Sequence, residues 1–249
     1  MCLHMKKLGM DGGYRKERGE FLCDGRKLLE EAVKCGAGIT AVLASSRLPF
    51  PLPDGTRLYH ADRAIIDSIS PMKNAQNILF TCKMPQPGGG GDNPVLTGAA
   101  GTHIMLDGIQ DPGNVGSIIR TADAFGVKIV LLAGGCADPY NPKTIRATMG
   151  AVFRQRIRHV SDDELSALRE NGARIIGAAP GGGSRDFSEI DFRNSIIAIG
   201  SEGSGLSGHT LALCAEMAAI PISPECESLN AAVAAGIILW KASRDNVIT

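Results

Sequence analysis

The chain has 249 residues, of which 44% are hydrophobic, and its 26 Lys and Arg residues are balanced by 26 Asp and Glu residues. Enough apolar material is present for a sizeable core, which excludes a globally disordered chain. Zero net charge disfavours a generic nucleic-acid coat, which needs an excess of cations. No apolar run reaches the roughly 18–20 residues that span a bilayer, and the charged amino terminus does not fit a signal peptide. We therefore expect a cytoplasmic protein with no membrane partner.

The cysteines and histidines indicate no metal site. Seven cysteines are scattered along the chain without a C-x-x-C pair, and the five histidines form no H-E-x-x-H motif. Zinc sites use ligands at such spacings, and disulfide frameworks use regularly paired cysteines. We therefore expect neither a metal nor a disulfide framework.

The first 85 residues alternate helical and strand patterns. Apolar residues at helical spacing predict a helix over residues 24–35 and a shorter one over residues 61–69. The β-branched run at residues 39–44 and the segment at residues 77–82 predict strands. Residues 1–85 are therefore predicted to form a small α/β domain.

A composition break follows this domain. Residues 88–91 are four consecutive glycines, with prolines at positions 85, 87 and 94. Glycine has maximal backbone freedom and proline disfavours helices and central strands, so residues 86–98 are predicted to form a linker.

Residues 99–249 are predicted to form a second α/β domain. Strands are predicted over residues 103–106, 128–132, 151–157, 174–179, 195–199 and 217–222. Helices are predicted over residues 115–125, 142–149, 162–171, 207–214 and 229–242. This alternation predicts a mostly parallel sheet with both faces covered. Ligands bind such sheets at the loops beyond the carboxyl ends of the strands.

Two glycine-rich loops fall at such positions. Residues 203–208 match G-x-G-x-x-G, the pattern of dinucleotide-binding folds, but only about 40 residues follow it. A dinucleotide fold opens with this pattern, so NAD binding is a disfavoured alternative. The other loop, at residues 111–116, has a sequence that strongly favours a turn, and Asn114 is expected to cap the helix that follows. Asn114 and Arg120 are suited to binding a phosphate or polarising a hydroxyl, although a surface arginine is the simpler interpretation.

Two further segments have both a functional and a plain structural interpretation. Ser228 is expected to cap a helix rich in small residues. Taken alone, the presence of Ser228 and Asn230 indicates only that a helix starts there. Residues 139–161 contain five cations and no acid. This local asymmetry indicates a polyanionic partner, and a surface strand with solvated arginines explains it equally well.

Three blocks together resemble the SpoU (TrmH-type) branch of the SPOUT RNA methyltransferases. The blocks are residues 111–122, 199–206 and 220–234, within a match that covers Thr102–Trp240. More weakly, residues 15–32 look like the ribosomal-protein-like substrate-binding domain of that family. The resemblance implies 2′-O-ribose methylation of RNA with S-adenosylmethionine, a trefoil knot in the parallel-sheet domain, and a homodimer. Ribosomal RNA is favoured over transfer RNA, because the separate front domain looks like that of the ribosomal-RNA enzymes.

The resemblance also implies roles for particular residues. The cofactor-contacting positions are Gly200, Gly205, Ile220, Ser228 and Leu229. The catalytic side consists of Asn114 and Arg120, supported by Glu202, Ser228 and Asn230. RNA contacts are expected from Arg120, Lys143, Arg146, Arg154 and Arg156.

The chemistry that this resemblance implies agrees with the residue types. S-adenosylmethionine carries its own electrophile, so the protein has to orient the substrate and make the ribose hydroxyl nucleophilic. Arginine is a poor general base. Arg120 is therefore predicted to contact the 2′-oxygen or the adjacent phosphate and to stabilise alkoxide character. The alternative from another class is an RNA-binding accessory protein that kept the fold and lost the reaction.

Overall fold

The computed structural model describes residues 1–73, 75–85, 101–179, 181 and 183–247, so the predicted linker lies outside the described residues. The strands are β1 (Glu20–Asp24), β2 (Ile39–Ala44), β3 (Arg57–His60), β4 (Ile78–Lys83), β5 (His103–Asp107), β6 (Val130–Ala133), β7 (Ile157–His159), β8 (Arg174–Ala178), β9 (Arg185–Asp186), β10 (Ser195–Gly200) and β11 (Glu216–Ala219). The helices are α1 (Cys2–Met10), α2 (Gly12–Arg18), α3 (Arg26–Lys34), α4 (Arg63–Ile69), α5 (Pro112–Ala124), α6 (Pro142–Thr148), α7 (Asp162–Glu170), α8 (Gly208–Leu213) and α9 (Ala231–Val247).

The chain divides into two compact units, Met1–Gly89 with Asp138–Arg154 and Gly90–Ala137 with Gln155–Thr249. The first unit contains a sheet of order β1-β4-β2-β3, in which β4 runs antiparallel to β1 and β2, and β3 runs parallel to β2. Its core is apolar, with Met5, Leu8, Leu22, Leu79 and Ile66 fully buried. These contacts place α1 and α4 against the sheet. The α/β character predicted for this part of the chain is confirmed.

Some elements of the first unit have little sequence signal. The predicted helices over residues 24–35 and 61–69 correspond to α3 and α4, and the predicted strands correspond to β2 and β4. Helices α1 and α2 and strands β1 and β3 are not predicted from the sequence. Helix α2 opens with two glycines, which disfavour helix, but the Asp11 side chain caps it by accepting from the Tyr14 amide at 3.0 Å. All four residues of β3 are exposed, so the strand lacks an apolar alternation.

The segment Asp138–Arg154 groups with the first unit, although the sequence analysis places it within the 99–249 domain. An aromatic cluster explains the grouping: the Phe21 ring centroid lies 5.0 Å from that of Tyr140 and 6.3 Å from that of Phe153. In addition, the buried Arg15 donates to the Asp138 Oδ2 atom from Nε at 2.9 Å and from Nη2 at 2.5 Å. Apolar stacking and a charged hydrogen bond thus hold this segment against β1 and α2.

The strand predicted over residues 151–157 is wrong. Residues Ala151–Phe153 form one turn of 3-10 helix after Gly150, whose φ of 97° disfavours an extended strand. The turn directs Phe153 into the aromatic cluster of the first unit. Only the short strand β7 follows, in the second unit.

The second unit is built on a parallel sheet of order β7-β6-β5-β10-β8-β11-β9, in which every neighbouring pair of strands runs parallel. The predicted fold class of this part is therefore confirmed. Central strand β5 is buried at all five positions, as expected when helices cover both faces. Met105, Leu131, Ile175 and Ile196 form much of one apolar layer. Strand β11 ends at Ala219, so Ile220 lies in the loop and not in the predicted strand over residues 217–222.

None of the helices within the described part of the chain has the length and apolar character that crossing a membrane requires.

Candidate functional site at the carboxyl ends of the central strands

The first loop of the site leads from β5 into α5. Strands β5 and β10 are neighbours, with Asp107 opposite Gly200 in register, so the loops that follow them start side by side. Helix α5 begins at Pro112, and the Asp111 side chain caps it by accepting from the Asn114 amide at 2.8 Å. The expectation that Asn114 caps this helix is therefore wrong. Asn114 lies in the first turn, which leaves its side chain amide for contacts with other loops.

Three of the predicted catalytic residues form one polar network. The Asn114 Nδ2 atom donates to Glu202 Oε1, and the Asn230 Nδ2 atom donates to Asn114 Oδ1 at 3.1 Å. Both polar atoms of the Asn114 amide are thus used, which fixes its orientation. The network joins α5, the loop after β10 and the start of α9, elements separated widely in sequence.

Asn230 also begins α9. Its Oδ1 atom accepts from the amides of Ala232 at 3.0 Å and Val233 at 3.3 Å, so Asn230 caps the helix. The predicted cap, Ser228, is exposed in the preceding loop, and its carbonyl accepts from the Cys226 thiol at 3.4 Å. The prediction of a cap at Ser228 is therefore wrong by two residues, because serine and asparagine are both good caps and the pattern alone does not choose between them.

Arg120 lies outside the polar network. It is exposed on α5, and its guanidinium makes no hydrogen bond or ion pair with any residue that the structure describes. The side chain therefore presents a full positive charge to the solvent, close along the chain to Asn114.

The glycine-rich loop, residues 201–206, follows β10 and closes on itself. The Ser201 amide donates to the Gly205 carbonyl at 3.0 Å, and the Gly205 amide donates to the Ser201 carbonyl at 2.9 Å. A Cβ atom on Gly200 would lie 2.2 Å from the carbonyl carbon of Gly205. No side chain fits there, so the glycine at position 200 is required for this loop shape.

The third loop, residues 220–230, leads from β11 to α9. The predicted cofactor-contacting residues Ile220 and Leu229 are partly buried at its two ends, whereas the residues between 223 and 228 are exposed. The Asn230 contact described above links the end of this loop to α5. The structure therefore brings the three loops together at the carboxyl ends of the strands.

The predicted RNA-contacting residues divide between the two units. Lys143 and Arg146 are exposed on α6 in the first unit, and Arg156 is exposed in the second. Arg154 pairs with Glu31 at 2.8 Å, and Arg158 in the same acid-free segment pairs with Glu164. Acids from other segments therefore offset part of the local positive charge. Hydrogen bonds from Lys34, followed by those from Arg154, hold the pKa of the Glu31 carboxyl below its usual range.

Asp107, at the end of β5, is not among the residues predicted from the sequence. This carboxylate is only 3% exposed, and its Oδ2 atom accepts from the Ser207 amide at 2.8 Å. The available signal was a charged residue at the end of an apolar strand.

Two thiols near this carboxylate are not activated. Burial, together with the charge of Asp107, raises the pKa of Cys214 to about 11. Burial also raises the pKa of Cys136, which donates to the carbonyls of Leu106 and Ala133. Both thiols therefore remain protonated at neutral pH, which does not suit a nucleophile. Within the described ranges, no group of three or more His, Cys, Asp or Glu residues is arranged to hold a metal ion.

Comparison with known proteins shows the family of this chain. Residues 101–240 match the model of the SpoU rRNA Methylase family. The chain belongs to this family. The resemblance carried by the three sequence blocks is confirmed, and NAD binding loses its support.

Relatives match along most of the chain. A 23S rRNA (guanosine(2553)-2′-O)-methyltransferase, RlmP, of Bacillus subtilis is 31% identical over 242 residues, covering 96% of this chain and 92% of the relative. A 23S rRNA (adenosine(1067)-2′-O)-methyltransferase of Streptomyces laurentii is 30% identical over 230 residues, covering 88% and 84%. The crystal structure of the SpoU methyltransferase AviRb from Streptomyces viridochromogenes, in complex with the cofactor AdoMet, superposes with a TM-score of 0.84 at 27% identity, covering 99% of this chain and 97% of AviRb.

Proposed function

We propose that this protein transfers a methyl group from S-adenosylmethionine to a ribose 2′-hydroxyl of ribosomal RNA. The observation that carries the proposal is the polar network of Asn114, Glu202 and Asn230, located where the three family blocks meet. The two relatives above that are named for an activity are 23S rRNA 2′-O-methyltransferases, which supports ribosomal RNA as the substrate. They act on different nucleosides, so relatedness does not choose the nucleotide.

The residues present fit the cofactor. Gly200 lets the glycine-rich loop fold closely onto the end of β10, and Gly205, where an added Cβ atom would meet nothing within 4 Å, leaves a face without a side chain at which a flat ligand can approach backbone amides and carbonyls. Ile220 and Leu229 add partly buried apolar contacts, and Ser228 adds a hydroxyl. When bound, S-adenosylmethionine supplies an electrophilic methyl group. The residues that would hold it are therefore Gly200, Gly205, Ile220, Ser228 and Leu229.

The catalytic side of the site orients and activates the ribose. Asn114 is held in one orientation by Glu202 and Asn230 and provides a fixed polar wall for the nucleotide. Arg120 has no partner among the described residues, so its guanidinium contacts the 2′-oxygen or the neighbouring phosphate and stabilises the negative charge that develops on the oxygen. The hydroxyl proton leaves to that phosphate or to a water bound by Arg120. Because S-adenosylmethionine carries its own electrophile, this mechanism requires no metal.

The first unit binds the RNA substrate in this proposal. Its exposed cations Lys143 and Arg146 lie one turn apart on α6, a spacing that suits backbone phosphates. Arg154, paired with Glu31, and Arg156 of the second unit add further cations. Proteins recognise structured RNA largely by its shape, so an RNA-binding surface of this kind needs few residues that stand out in the sequence beyond these cations.

The second unit has the trefoil knot of its family and pairs with a second copy of the chain. Helix α9 exposes Val233 and Trp240, which are 51% and 53% exposed and seven residues apart on one helical face. Such an apolar face supports a homodimer. The protein acts in the cytoplasm.

The test is tritium transfer from labelled S-adenosylmethionine to RNA purified from a strain lacking the gene, followed by nucleoside analysis. Label in a 2′-O-methylnucleoside of ribosomal RNA is the expected result. The same nucleoside in transfer RNA would contradict the substrate, and a methylated base would contradict the reaction. Cofactor binding by calorimetry is measured in parallel, because an accessory protein without catalytic function is expected to show neither label nor binding.

A further inference from the structure

Asp107 joins the end of β5 to the far end of the glycine-rich loop. It is the last residue of β5 and is 3% exposed, and its Oδ2 atom accepts from the Ser207 amide at 2.8 Å. Ser207 directly follows the loop and caps α8, with its hydroxyl accepting from the Thr210 amide at 3.2 Å. The carboxylate thus contacts the point at which the loop returns to the fold.

Elsewhere the loop is held at its entrance, at its neck and, through the hydrogen bond from Asn114 to Glu202, by α5. Its entrance is set by pairing between β10 and β5, in which Gly200 lies opposite Asp107. Its neck is closed by the two hydrogen bonds between Ser201 and Gly205. At the exit, the Leu206 side chain is 6% exposed and packs in the apolar layer of the sheet, and the Asp107 contact is the hydrogen bond that holds the backbone at Ser207 to the end of β5.

Gly134 leaves space for the buried Asp107 carboxylate. A Cβ atom on Gly134 would lie 2.5 Å from Asp107 Oδ1, and Gly134 has a φ of 61°, so a glycine at that position makes the room. Burying a carboxylate is unfavourable unless it is hydrogen-bonded. A helix cap for α8 does not require this arrangement, because the Ser207 hydroxyl already supplies one.

We propose that Asp107 is a positioning residue for the cofactor, whose carboxylate holds residues 201–206 in their binding shape through the Ser207 amide. This inference rests on the proposed function, because it takes the glycine-rich loop as part of the cofactor site. Asp107 itself touches neither the methyl group nor the ribose. Its contribution is the affinity for S-adenosylmethionine, not the rate of transfer from the bound cofactor.

The first experiment removes the hydrogen bond at its donor. Ser207 has φ −63° and ψ 153°, which proline adopts, so Ser207→Pro deletes the amide hydrogen and places a ring carbon against the Asp107 carboxylate, which then has to move away. Ser207→Ala is the matched reference, since both variants lose the capping hydroxyl and only the proline loses the amide hydrogen. Calorimetric titration of the full chain with S-adenosylmethionine should give roughly tenfold weaker binding for the proline than for the alanine variant. Equal affinities of the two variants would overturn the inference.

The second experiment changes the acceptor. Asp107→Ala removes it, whereas Asp107→Asn keeps a side-chain oxygen that can accept from the Ser207 amide. We expect the alanine variant to bind roughly tenfold more weakly than the asparagine variant, and this pair decides the matter if Ser207→Pro does not fold. Steady-state assays should show a raised KM for the cofactor with kcat kept at saturation. A lowered kcat with unchanged affinity would contradict positioning.

The two experiments separate this inference from the proposed function. If the wild-type protein binds no S-adenosylmethionine, the proposed cofactor site is wrong and the inference falls with it. If the wild type binds and neither pair of variants differs in affinity, the cofactor site stands and only the role of Asp107 is wrong. Melting temperatures of all four variants identify losses of folding, which would lower the binding-competent fraction without changing the affinity.

Discussion

Polar interactions have different purposes in the two units. In the second unit, Asn114 hydrogen-bonds to both Glu202 and Asn230 at the carboxyl ends of the strands of a parallel sheet, where loops are open to a ligand. In the first unit, the charged contact between Arg15 and Asp138 attaches one chain segment to another. A polar group whose partners lie on loops at a strand end is therefore a functional candidate, and one that anchors a chain segment is a structural one. Substitutions in the two units should therefore separate activity from stability.

The largest effect is expected from Arg120→Ala. The guanidinium has no partner within the described part of the chain, so its removal should leave the fold and cofactor affinity unchanged. Loss of a group that stabilises developing negative charge lowers kcat by about 100-fold or more. Single-turnover methyl transfer with saturating RNA measures this, and Arg120→Lys tests whether charge alone suffices. Wild-type turnover in the alanine variant, with RNA bound normally, would show that Arg120 has another role.

Asp138→Ala should do the opposite and cost stability. It leaves the guanidinium of Arg15, whose side chain is 4% exposed, without its carboxylate, and such a loss costs about 3 kcal/mol. Urea denaturation measures the change in the free energy of unfolding. The control is Asp191→Ala, which breaks the pair with Arg193 in which both side chains are 48% exposed, for which less than about 1 kcal/mol is expected. Cofactor affinity of the folded Asp138→Ala protein should stay at the wild-type level.

Gly200→Ala should damage the cofactor site within an otherwise intact sheet. The added Cβ atom would lie 2.2 Å from backbone atoms of the glycine-rich loop, so the loop must shift, at a cost of about 1–3 kcal/mol. Gly203→Ala is the matched control, because a Cβ atom there meets nothing within 4 Å. Calorimetry should show weakened S-adenosylmethionine binding only for Gly200→Ala. Equal binding by both variants would mean that the loop shape does not determine affinity.

A smaller effect is expected from Asn230→Asp, which keeps one of the two contacts of this side chain and removes the other. An aspartate still caps α9 through a side-chain oxygen, but it no longer donates to Asn114. The melting temperature should therefore change little while methyl transfer falls by roughly tenfold, about the value of one hydrogen bond. Asn230→Ala removes both contacts and should lower both quantities. If Asn230→Asp turned over normally, the network with Asn114 would have no part in the reaction.

The sheet and the polar network of the second unit were easier to predict from the sequence than the helix caps. The parallel sheet followed from the alternation of apolar runs, whereas a joint role for Asn114, Glu202 and Asn230 was implied by the family resemblance of three blocks; the structure brings those three side chains together. Capping was harder to predict, because Asp111 and Asn230 cap the helices where Asn114 and Ser228 were expected to. Several residues near each helix start can serve as caps, and only the chain path selects one.

Long-range packing limited the prediction elsewhere. Nothing local in the segment Asp138–Arg154 shows that Tyr140 and Phe153 stack on Phe21, more than 100 residues earlier in the chain. Asp107 was missed for a related reason. A single acid at the end of an apolar strand has no period or motif, and its meaning depends on the Ser207 amide 100 residues away.

The smallest effect is expected in the pH dependence of stability, through Tyr140 in the aromatic cluster of the first unit. Burial, and secondarily the charge of Asp138, raises the pKa of the Tyr140 phenol to about 12, from an ordinary value of 10. The folded chain then holds this proton more tightly than the unfolded chain, so the contribution to stability is complete below pH 10 and is lost as the pH rises towards 12. Tyr140→Phe lacks the titrating group, and its free energy of unfolding should gain on that of the wild type only above about pH 10. Urea denaturation of both proteins at neutral pH and at about pH 11 measures the gain, whereas a difference that stays constant with pH would place the phenol in water in the folded protein.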